Sequence, residues 1–302
     1  MNSTAPQPET VRAYLDALRA ALKGAPPGLI SDALSDAEEH LNNEIAAQPH
    51  LTEKQILAAV IDTYGTPQEI AEEYRAMETT IAGPFPKPEE APQGRNYGFF
   101  NVISDPRTYG ALMYMLLSLA TGIFYFTWIA VGLSLSLAFF ILIIGIPFAL
   151  LFVGSVRVLA HVEGRLVEGL LGVRMPRRLP PTVSQQESIW AKIREALIDA
   201  RTWSSMFYLV LMLPLGIIYF VLAVTGIAVS LGLTAGSLVG LVTGVSHIQI
   251  DEVPWLEHLF HTAPGLVLAA LIGLLLFFVV LHVARAIGWF HGRIAELLLV
   301  RL

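Results

Sequence analysis

The 302-residue chain has no cysteine, so neither a disulfide nor thiolate chemistry is open to it. Charge is missing from a long stretch, because residues 108–156 contain no Asp, Glu, Lys, Arg or His. About 20 apolar helical residues cross the hydrocarbon core of a bilayer, so this stretch is long enough for two crossings. We interpret residues 131–134 as the reversal, since glycine and serine interrupt the bulky side chains there. The sequence therefore predicts a membrane protein.

Sequence signatures of enzymes are also missing. There is no G-x-S-x-G elbow, Walker loop or H-E-x-x-H motif, and the apolar runs carry almost none of the polar residues that membrane enzymes use. We expect a non-enzymatic protein with no cofactor, no assigned metal and no direct contact with nucleic acid. Because the first apolar run begins after position 100, no cleavable signal peptide is expected.

The apolar half of the chain contains a repeat. Residues 105–109 match residues 199–203, and residues 122–126 match residues 216–220, both at an offset of 94. Further matches occur at an offset of 128: Arg157, Gly164-Arg165 and Glu168 with Arg285, Gly292-Arg293 and Glu296. The second copy therefore carries about 34 extra residues between its membrane helices. This pattern predicts two parallel copies of a helical hairpin.

Residues 1–78 are predicted to form a small domain of amphipathic helices. Pro26-Pro27-Gly28 separates the first two helices, and Thr52 with Gln55 forms a capping box for the third. Residues 66–69, Thr-Pro-Gln-Glu, supply the N-cap, a proline at the first helical position and a glutamate at N3 of a fourth.

Three short motifs in this region carry a resemblance: Tyr14-Leu15 with Leu18, Glu38-Glu39-His40, and Gly65-Thr66-Pro67-Gln68-Glu69-Ile70-Ala71. Over residues 9–77 the chain resembles the HAAS domain, a small cytoplasmic helical module joined to bacterial membrane proteins. Members are often encoded beside PadR-type regulators. The resemblance implies an interaction module, with a cytoplasmic regulator as a partner and no catalytic residues.

The hairpins resemble a second family, described as a putative sensor domain of actinobacterial membrane proteins. The residues that carry this resemblance are Asp199-x-Arg201-Thr202-Trp203, Pro214-Leu215-Gly216 and the His/Glu/Arg-containing helix ends after each hairpin. The match covers about residues 100–300, and the family's own layout includes the duplication. Some members are fused to histidine kinases, whereas we expect no transmitter domain after the hairpins of this chain.

Together these features predict an all-α membrane protein. A cytoplasmic helical domain (1–78) and a linker (79–98) precede a four-helix transmembrane bundle made of two hairpin repeats (99–180 and 181–302). Lysine and arginine are absent between Arg201 and Arg285. The positive-inside rule therefore places both termini in the cytoplasm and an insert at about 232–264 outside. We expect a multi-pass protein of the bacterial cytoplasmic (inner) membrane.

Titratable residues collect in the second half of that insert: His247, Asp251, Glu252, Glu257, His258 and His261. His258 and His261 share a helical face, and imidazole with carboxylate suits transition metals, although no recognised metal spacing occurs. Histidines that titrate near neutral pH would also make a pH- or ligand-responsive element. An ordinary interfacial loop is the remaining interpretation.

Two further groups of residues are candidate sites. Glycines that recur every fourth residue would let another helix approach closely, which predicts a homo-oligomer: Gly232, Gly236, Gly240 and Gly244. A flexible segment, or a separate crossing or re-entrant half-helix over residues 229–248, is the alternative. Cationic side chains at the ends of the apolar runs are expected to snorkel to the inner interface or bind lipid headgroups: Arg107, Arg157, His161, Arg201, His282 and Arg285.

We expect the chain to sense an envelope or membrane signal and to relay it to a cytoplasmic partner through the N-terminal helices. The alternative is a transporter or lipid-handling protein whose two repeats enclose a lipophilic ligand, because helices interrupted by glycine and proline occur in matching halves. A membrane-embedded enzyme is a third possibility, which the scarcity of intramembrane polar residues disfavours.

Overall fold

A computed structural model describes residues 8–80, 99–140, 145–176, 199–244 and 261–300. Within these ranges the chain forms α-helices and one short 3-10 helix, with no strand. The elements are α1 (Val11–Ala21), α2 (Pro27–Ala47), α3 (Glu53–Tyr64), α4 (Pro67–Thr80), the 3-10 helix (Phe99–Ser104), α5 (Pro106–Phe140), α6 (Gly145–Leu171), α7 (Ala200–Thr243) and α8 (Ala263–Leu299). The predicted all-α class is confirmed.

Helices α1–α4 form the N-terminal domain around a core of apolar side chains: Tyr14, Leu18, Leu22, Ala33, Ala37, Leu41, Ile56, Leu57, Val60, Ile61, Ile70 and Ala71. Tyr14 is fully buried, and its hydroxyl donates to the Gly65 carbonyl at 2.9 Å. Burial raises the pKa of Tyr14, so the phenol stays a neutral donor. This bond ties α1 to the turn between α3 and α4.

The capping residues set the starts of α3 and α4 as predicted. The Thr52 backbone N–H donates to the Gln55 Oε1 at 3.1 Å. At α4 the Thr66 N–H donates to the Glu69 carboxylate at 2.8 Å, and the Glu69 N–H donates back to the Thr66 hydroxyl at 3.3 Å. Both pairs satisfy backbone groups that a helix end would otherwise leave without partners.

Helices α5–α8 are each long and apolar enough to cross a membrane. A third or less of the most apolar window of each helix is buried inside the chain. Large apolar side chains instead face outward, such as Leu137, Leu151 and Val242, which are 75%, 74% and 88% exposed. Soluble proteins rarely expose apolar surface on this scale, so lipid is the solvent that fits these helices.

The predicted reversal at residues 131–134 is wrong, because α5 continues through it to Phe140. A glycine inside a helix costs only about 1 kcal/mol, which the remaining backbone hydrogen bonds of the helix outweigh. Ser134 satisfies its hydroxyl within the helix by donating to the Ala130 carbonyl at 2.7 Å.

Helix α7 reaches further than predicted, because its 44 residues include most of the glycine series. Residues 229–243 therefore continue this helix and are not a separate crossing or half-helix. At about 1.5 Å per residue α7 is roughly 66 Å long, about twice the thickness of a bilayer core. Gly244, with φ +73°, ends the helix and donates its N–H to the Gly240 carbonyl at 2.9 Å.

The chain divides into two compact units. Unit 1 comprises Met1–Pro88, Leu135–Ser205 and Ala295–Leu302, and unit 2 comprises Glu89–Ser134 and Met206–Ile294. In unit 2, α5 and α7 cross at two glycines: a Cβ on Gly122 would meet the Met212 carbonyl, and one on Gly216 would meet the Ser118 carbonyl. Gly122 and Gly216, like Ser118 and Met212, are 94 residues apart. The two contacts are therefore reciprocal, which is the pattern expected if an approximate two-fold axis relates α5 to α7.

Candidate functional site

A polar cluster lies inside the apolar helices of unit 2, centred on His291 of α8, which is fully buried. Its Nε2 lies 2.5 Å from the Tyr114 hydroxyl and 2.9 Å from the Tyr208 hydroxyl. Its Nδ1 lies 3.4 Å from the Tyr219 hydroxyl. The Tyr114 hydroxyl also faces the Met212 sulfur at 3.7 Å. A fully buried ionisable side chain among apolar helices is expensive and marks a candidate functional site.

The close crossing of α5 and α7 brings this cluster together. Tyr114 of α5 and Tyr208 of α7 are equivalent at the offset of 94, and each presents its hydroxyl to the same imidazole nitrogen. Tyr219 approaches the other nitrogen from three turns further along α7. A neutral imidazole has one donor and one acceptor nitrogen, and a tyrosine hydroxyl can serve either. The cluster can therefore join three helices without a buried charge.

Two ion pairs involve arginines that were predicted to be interfacial. In unit 1, Arg157 of α6 contacts Asp199 at 3.0 Å and the Thr202 hydroxyl at 3.1 Å. In unit 2, Arg285 of α8 contacts Asp105 at 3.6 Å. The pairs are equivalent, because Asp105 and Asp199 differ by 94 residues and the two arginines by 128. Arg157 and Arg285 are thus bound to the aspartates that precede the first helix of the opposite copy.

Asp199 is held as a carboxylate by its neighbours. Partial burial raises the pKa of Asp199. Two effects outweigh burial and leave the pKa below its ordinary value: hydrogen bonds from the Thr202 hydroxyl and the Arg201 backbone N–H, and the positive charges of Arg157 and Arg201. At neutral pH Asp199 therefore faces Arg157 as a carboxylate.

A cavity of about 60 Å³ lies in unit 1 next to this ion pair. Its cationic or titratable lining residues are Arg157 and His161 of α6 and Arg201 of α7. Hydroxyl groups line the rest of its polar wall, from Ser31 and Ser35 of α2 and from Thr202 and Ser205 of α7. Arg157, His161 and Arg201, which were predicted to be separate lipid anchors, therefore line the same cavity. Ser31 and Ser35 of the N-terminal domain line it as well.

Arg174, in the segment that follows α6, connects that helix to the N-terminal domain. Its guanidinium contacts Asp32 of α2 at 2.8 Å, Glu78 of α4 at 3.1 Å and Glu168 of α6 at 3.8 Å. The Arg174 side chain is 11% exposed. Backbone packing adds to this contact, since a Cβ on Gly28 would clash with residues 174–176.

The remaining predicted residues fall into different surroundings. His282 stacks on Phe99 with ring centroids 4.7 Å apart and contacts the Phe278 carbonyl at 2.9 Å, within unit 2. The Arg107 backbone N–H donates to the Asp105 carboxylate at 3.1 Å. A Cβ on Gly232, Gly236 or Gly244 would have no described atom within 4 Å, so their packing role stays a prediction about another chain.

Most of the predicted sensing group lies outside the described residues: His247, Asp251, Glu252, Glu257 and His258. His261 is described, and it is exposed in the turn before α8. Across the part of the chain that the structure describes, no three His, Asp or Glu side chains are grouped to hold a metal ion. The metal, pH-sensing and loop interpretations of this group therefore stay predictions.

The sequence did contain a signal for the His291 cluster. Tyr114 and Tyr208 recur at the offset of 94 that relates the hairpins, and Tyr125 and Tyr219 recur at the same offset. Tyrosines that recur at equivalent positions of uncharged apolar runs are unusual enough to be examined as hydrogen-bonding residues. Arg174 gave no comparable signal, because its partners are far away in sequence.

The spans, their exposed apolar surface and the N-terminal domain define a multi-pass α-helical membrane protein. The chain belongs to the family described as Putative sensor, which matches residues 114–299, and the HAAS family matches residues 13–73. Both predicted resemblances are thereby confirmed, in that order along the chain. Neither a curated protein nor a solved structure matches it.

Proposed function

We propose that this membrane protein of the sensor family relays a change in its membrane helices to a cytoplasmic partner through its N-terminal domain. Arg174 supports this proposal, because it couples the end of α6 to α2 and α4 through Asp32 and Glu78. A shift of α6 along or about its axis would strain these ion pairs. The N-terminal domain would then change its position or its exposed surface, which is what a partner can detect.

The strength of this contact follows from its burial. Breaking a buried ion pair by removing one partner costs about 3–5 kcal/mol, because the other charge stays behind without compensation. Arg174 faces three carboxylates, so its loss would also leave like charges near one another. The domain is therefore held firmly enough to move with α6 at rest, yet a change of a few kcal/mol would release it.

The proposed topology has both termini in the cytoplasm of the bacterial inner membrane, and the proposed mode of action is binding without catalysis. A membrane-impermeant reagent should label single cysteines placed near position 40 only after the membrane is opened. It should label a cysteine near position 255 in intact cells. The opposite labelling pattern would overturn the orientation and with it the relay.

The relay is tested by Arg174→Gln in the full chain in nanodiscs. We expect faster amide exchange in α2 and α4 near Asp32 and Glu78, and altered capture of cytoplasmic proteins by crosslinking. Arg19→Gln is the matched control, because the Arg19–Asp16 pair lies within α1 and is more than 60% exposed. Unchanged exchange and capture in Arg174→Gln, or no crosslinked partner for the unaltered chain, would contradict the relay.

The alternative, transport or handling of a lipophilic molecule, has one specific observation in its favour, the polar cluster at His291. Intramembrane histidines occur in proton and ligand pathways. Flux or lipid movement in proteoliposomes that depends on His291 would support this alternative, and sealed, inactive vesicles would reject it.

A further inference from the structure

We infer that the cavity in unit 1 binds a phosphate group and that the bound phosphate holds the N-terminal domain against the membrane helices. The cavity lies where α2, α6 and α7 meet, and its lining residues come from all three. This inference goes beyond the relay and does not rest on it, because the group would bind even if no cytoplasmic partner existed.

Charge and donor chemistry favour an anion at this place. Two arginines line the cavity, and none of the described lining residues is acidic. Asp199 contacts Arg157 at 3.0 Å from outside the lining. Guanidinium groups present several N–H donors in a planar fork that matches phosphate oxygens. Arg201 lies in the first turn of α7, whose positive dipole end adds to the attraction.

The volume of the cavity and its hydroxyl groups limit the ligand to a group of about the size of a phosphate. A water molecule needs about 10–15 Å³ of such space, so 60 Å³ holds about four to six small atoms. That is the scale of one phosphate group and too small for a whole nucleotide. Ser31, Ser35 and Ser205 supply hydroxyl donors around the cavity, which a phosphate with several acceptor oxygens can use.

Binding would couple to the N-terminal domain through linkage. Ser31 and Ser35 belong to α2, whereas Arg157 and Arg201 belong to α6 and α7. A phosphate that contacts both sets binds the docked domain better than a displaced one, and it therefore stabilises docking by its own differential affinity. Arg157 ends an uncharged run, so the phosphate could belong to a lipid headgroup at the membrane surface or to a small soluble molecule.

The test uses the full chain in nanodiscs and separates these two sources. In zwitterionic nanodiscs, equilibrium binding of radiolabelled inorganic phosphate measures the soluble source. In nanodiscs that contain phosphatidic acid, native mass spectrometry counts retained lipid and measures the headgroup source. We expect saturable binding in at least one arm, with slower amide exchange around Ser31 and Ser35 when the site is filled.

Two variants test the cavity from opposite sides. Arg157→Gln should weaken binding about 10–100-fold, and Ser31→Ala with Ser35→Ala about 5–10-fold, since hydrogen bonds to a charged group are the stronger ones. The serine pair keeps the proposal testable if Arg157→Gln fails to fold. Arg165→Gln is the control, because Arg165 lies two turns further along α6, is exposed and does not line the cavity.

Binding of phosphate alone, weakened by the two cavity variants and not by Arg165→Gln, would identify a soluble ligand. Retention of phosphatidic acid with the same variant pattern would identify a lipid headgroup. Absence of saturable binding in both arms, or equal weakening by Arg165→Gln, would overturn the inference.

Discussion

The cluster around His291 allows a quantitative test, because two hydroxyls share one nitrogen. Nε2 faces the Tyr114 hydroxyl at 2.5 Å and the Tyr208 hydroxyl at 2.9 Å. Removing either hydroxyl leaves this nitrogen with the other as its partner. Tyr114→Phe or Tyr208→Phe alone should therefore lower the free energy of unfolding by about 0.5 kcal/mol, an ordinary value for a hydrogen bond between membrane helices.

The double variant removes both hydroxyls from Nε2. A buried polar atom that loses its partners costs about 1–3 kcal/mol, more than the net value of one bond. We therefore expect a loss of about 2 kcal/mol, roughly twice the sum of the single variants. The excess of about 1 kcal/mol is the coupling between the tyrosines, and it lies within the range measured for interacting neighbours.

Reversible unfolding in mixed micelles, followed by circular dichroism during a titration with denaturing detergent, measures these free energies. Tyr109→Phe is the matched control on α5, because the Tyr109 hydroxyl donates to the Ile103 carbonyl at 2.8 Å and the side chain is 45% exposed. If the two single losses simply add within about 0.3 kcal/mol, the shared-nitrogen geometry is refuted.

Two further predictions concern helix crossing and pH. Gly122→Ala and Gly216→Ala should each lower the free energy of unfolding by about 1–3 kcal/mol in the same assay, because the added Cβ meets a backbone carbonyl of the other helix. Gly154→Ala is the control: the space around Gly154 is open, so this variant should be neutral or slightly stabilising. Similar effects at all three positions would contradict the close crossing. Hydrogen bonds from Thr66 lower the pKa of Glu69 below its ordinary 4.5, so this carboxylate stabilises the N-terminal domain at higher pH and loses that contribution as pH falls through the lowered value. The protection of α4 amides, corrected for the intrinsic exchange rate at each pH, should therefore fall more steeply between pH 6 and 3 in the unaltered chain than in Glu69→Gln. Parallel profiles of protection against pH would refute this.

Local rules predicted the N-terminal domain well, because its boundaries depend on neighbours in sequence. The capping pairs Thr52–Gln55 and Thr66–Glu69 each span three residues, so their chemistry can be read without knowing the fold. The positive φ of Gly65 follows from the same local pattern.

Local rules failed at residues 131–134, because glycine and serine break a helix less readily in an apolar environment than in water. Glycine and serine break helices mainly where water competes for the backbone, whereas in lipid every N–H and C=O must bond within the chain. Continuing α5 to Phe140 satisfies these groups, and so does extending α7 to Thr243. Helix-breaking residues are therefore weaker signals in such runs than in soluble proteins.

The sites depend on contacts that single positions do not reveal. Arg157 and Arg201 could be predicted as cations near a membrane surface, but their meeting with Ser31 needs the docking of α2. His291 resembles an ordinary residue at a helix end until Tyr114 and Tyr208 are placed around it.

The equivalent ion pairs show how the two sequence copies combine. Asp105 begins the first copy and contacts Arg285 of the second, while Asp199 begins the second copy and contacts Arg157 of the first. Each compact unit accordingly takes membrane helices from both sides of position 180, where the sequence places the boundary between repeats. Two hairpins that folded separately would satisfy these aspartates within their own copy. Because each aspartate has its arginine in the other sequence copy, the packing of either copy depends on the other.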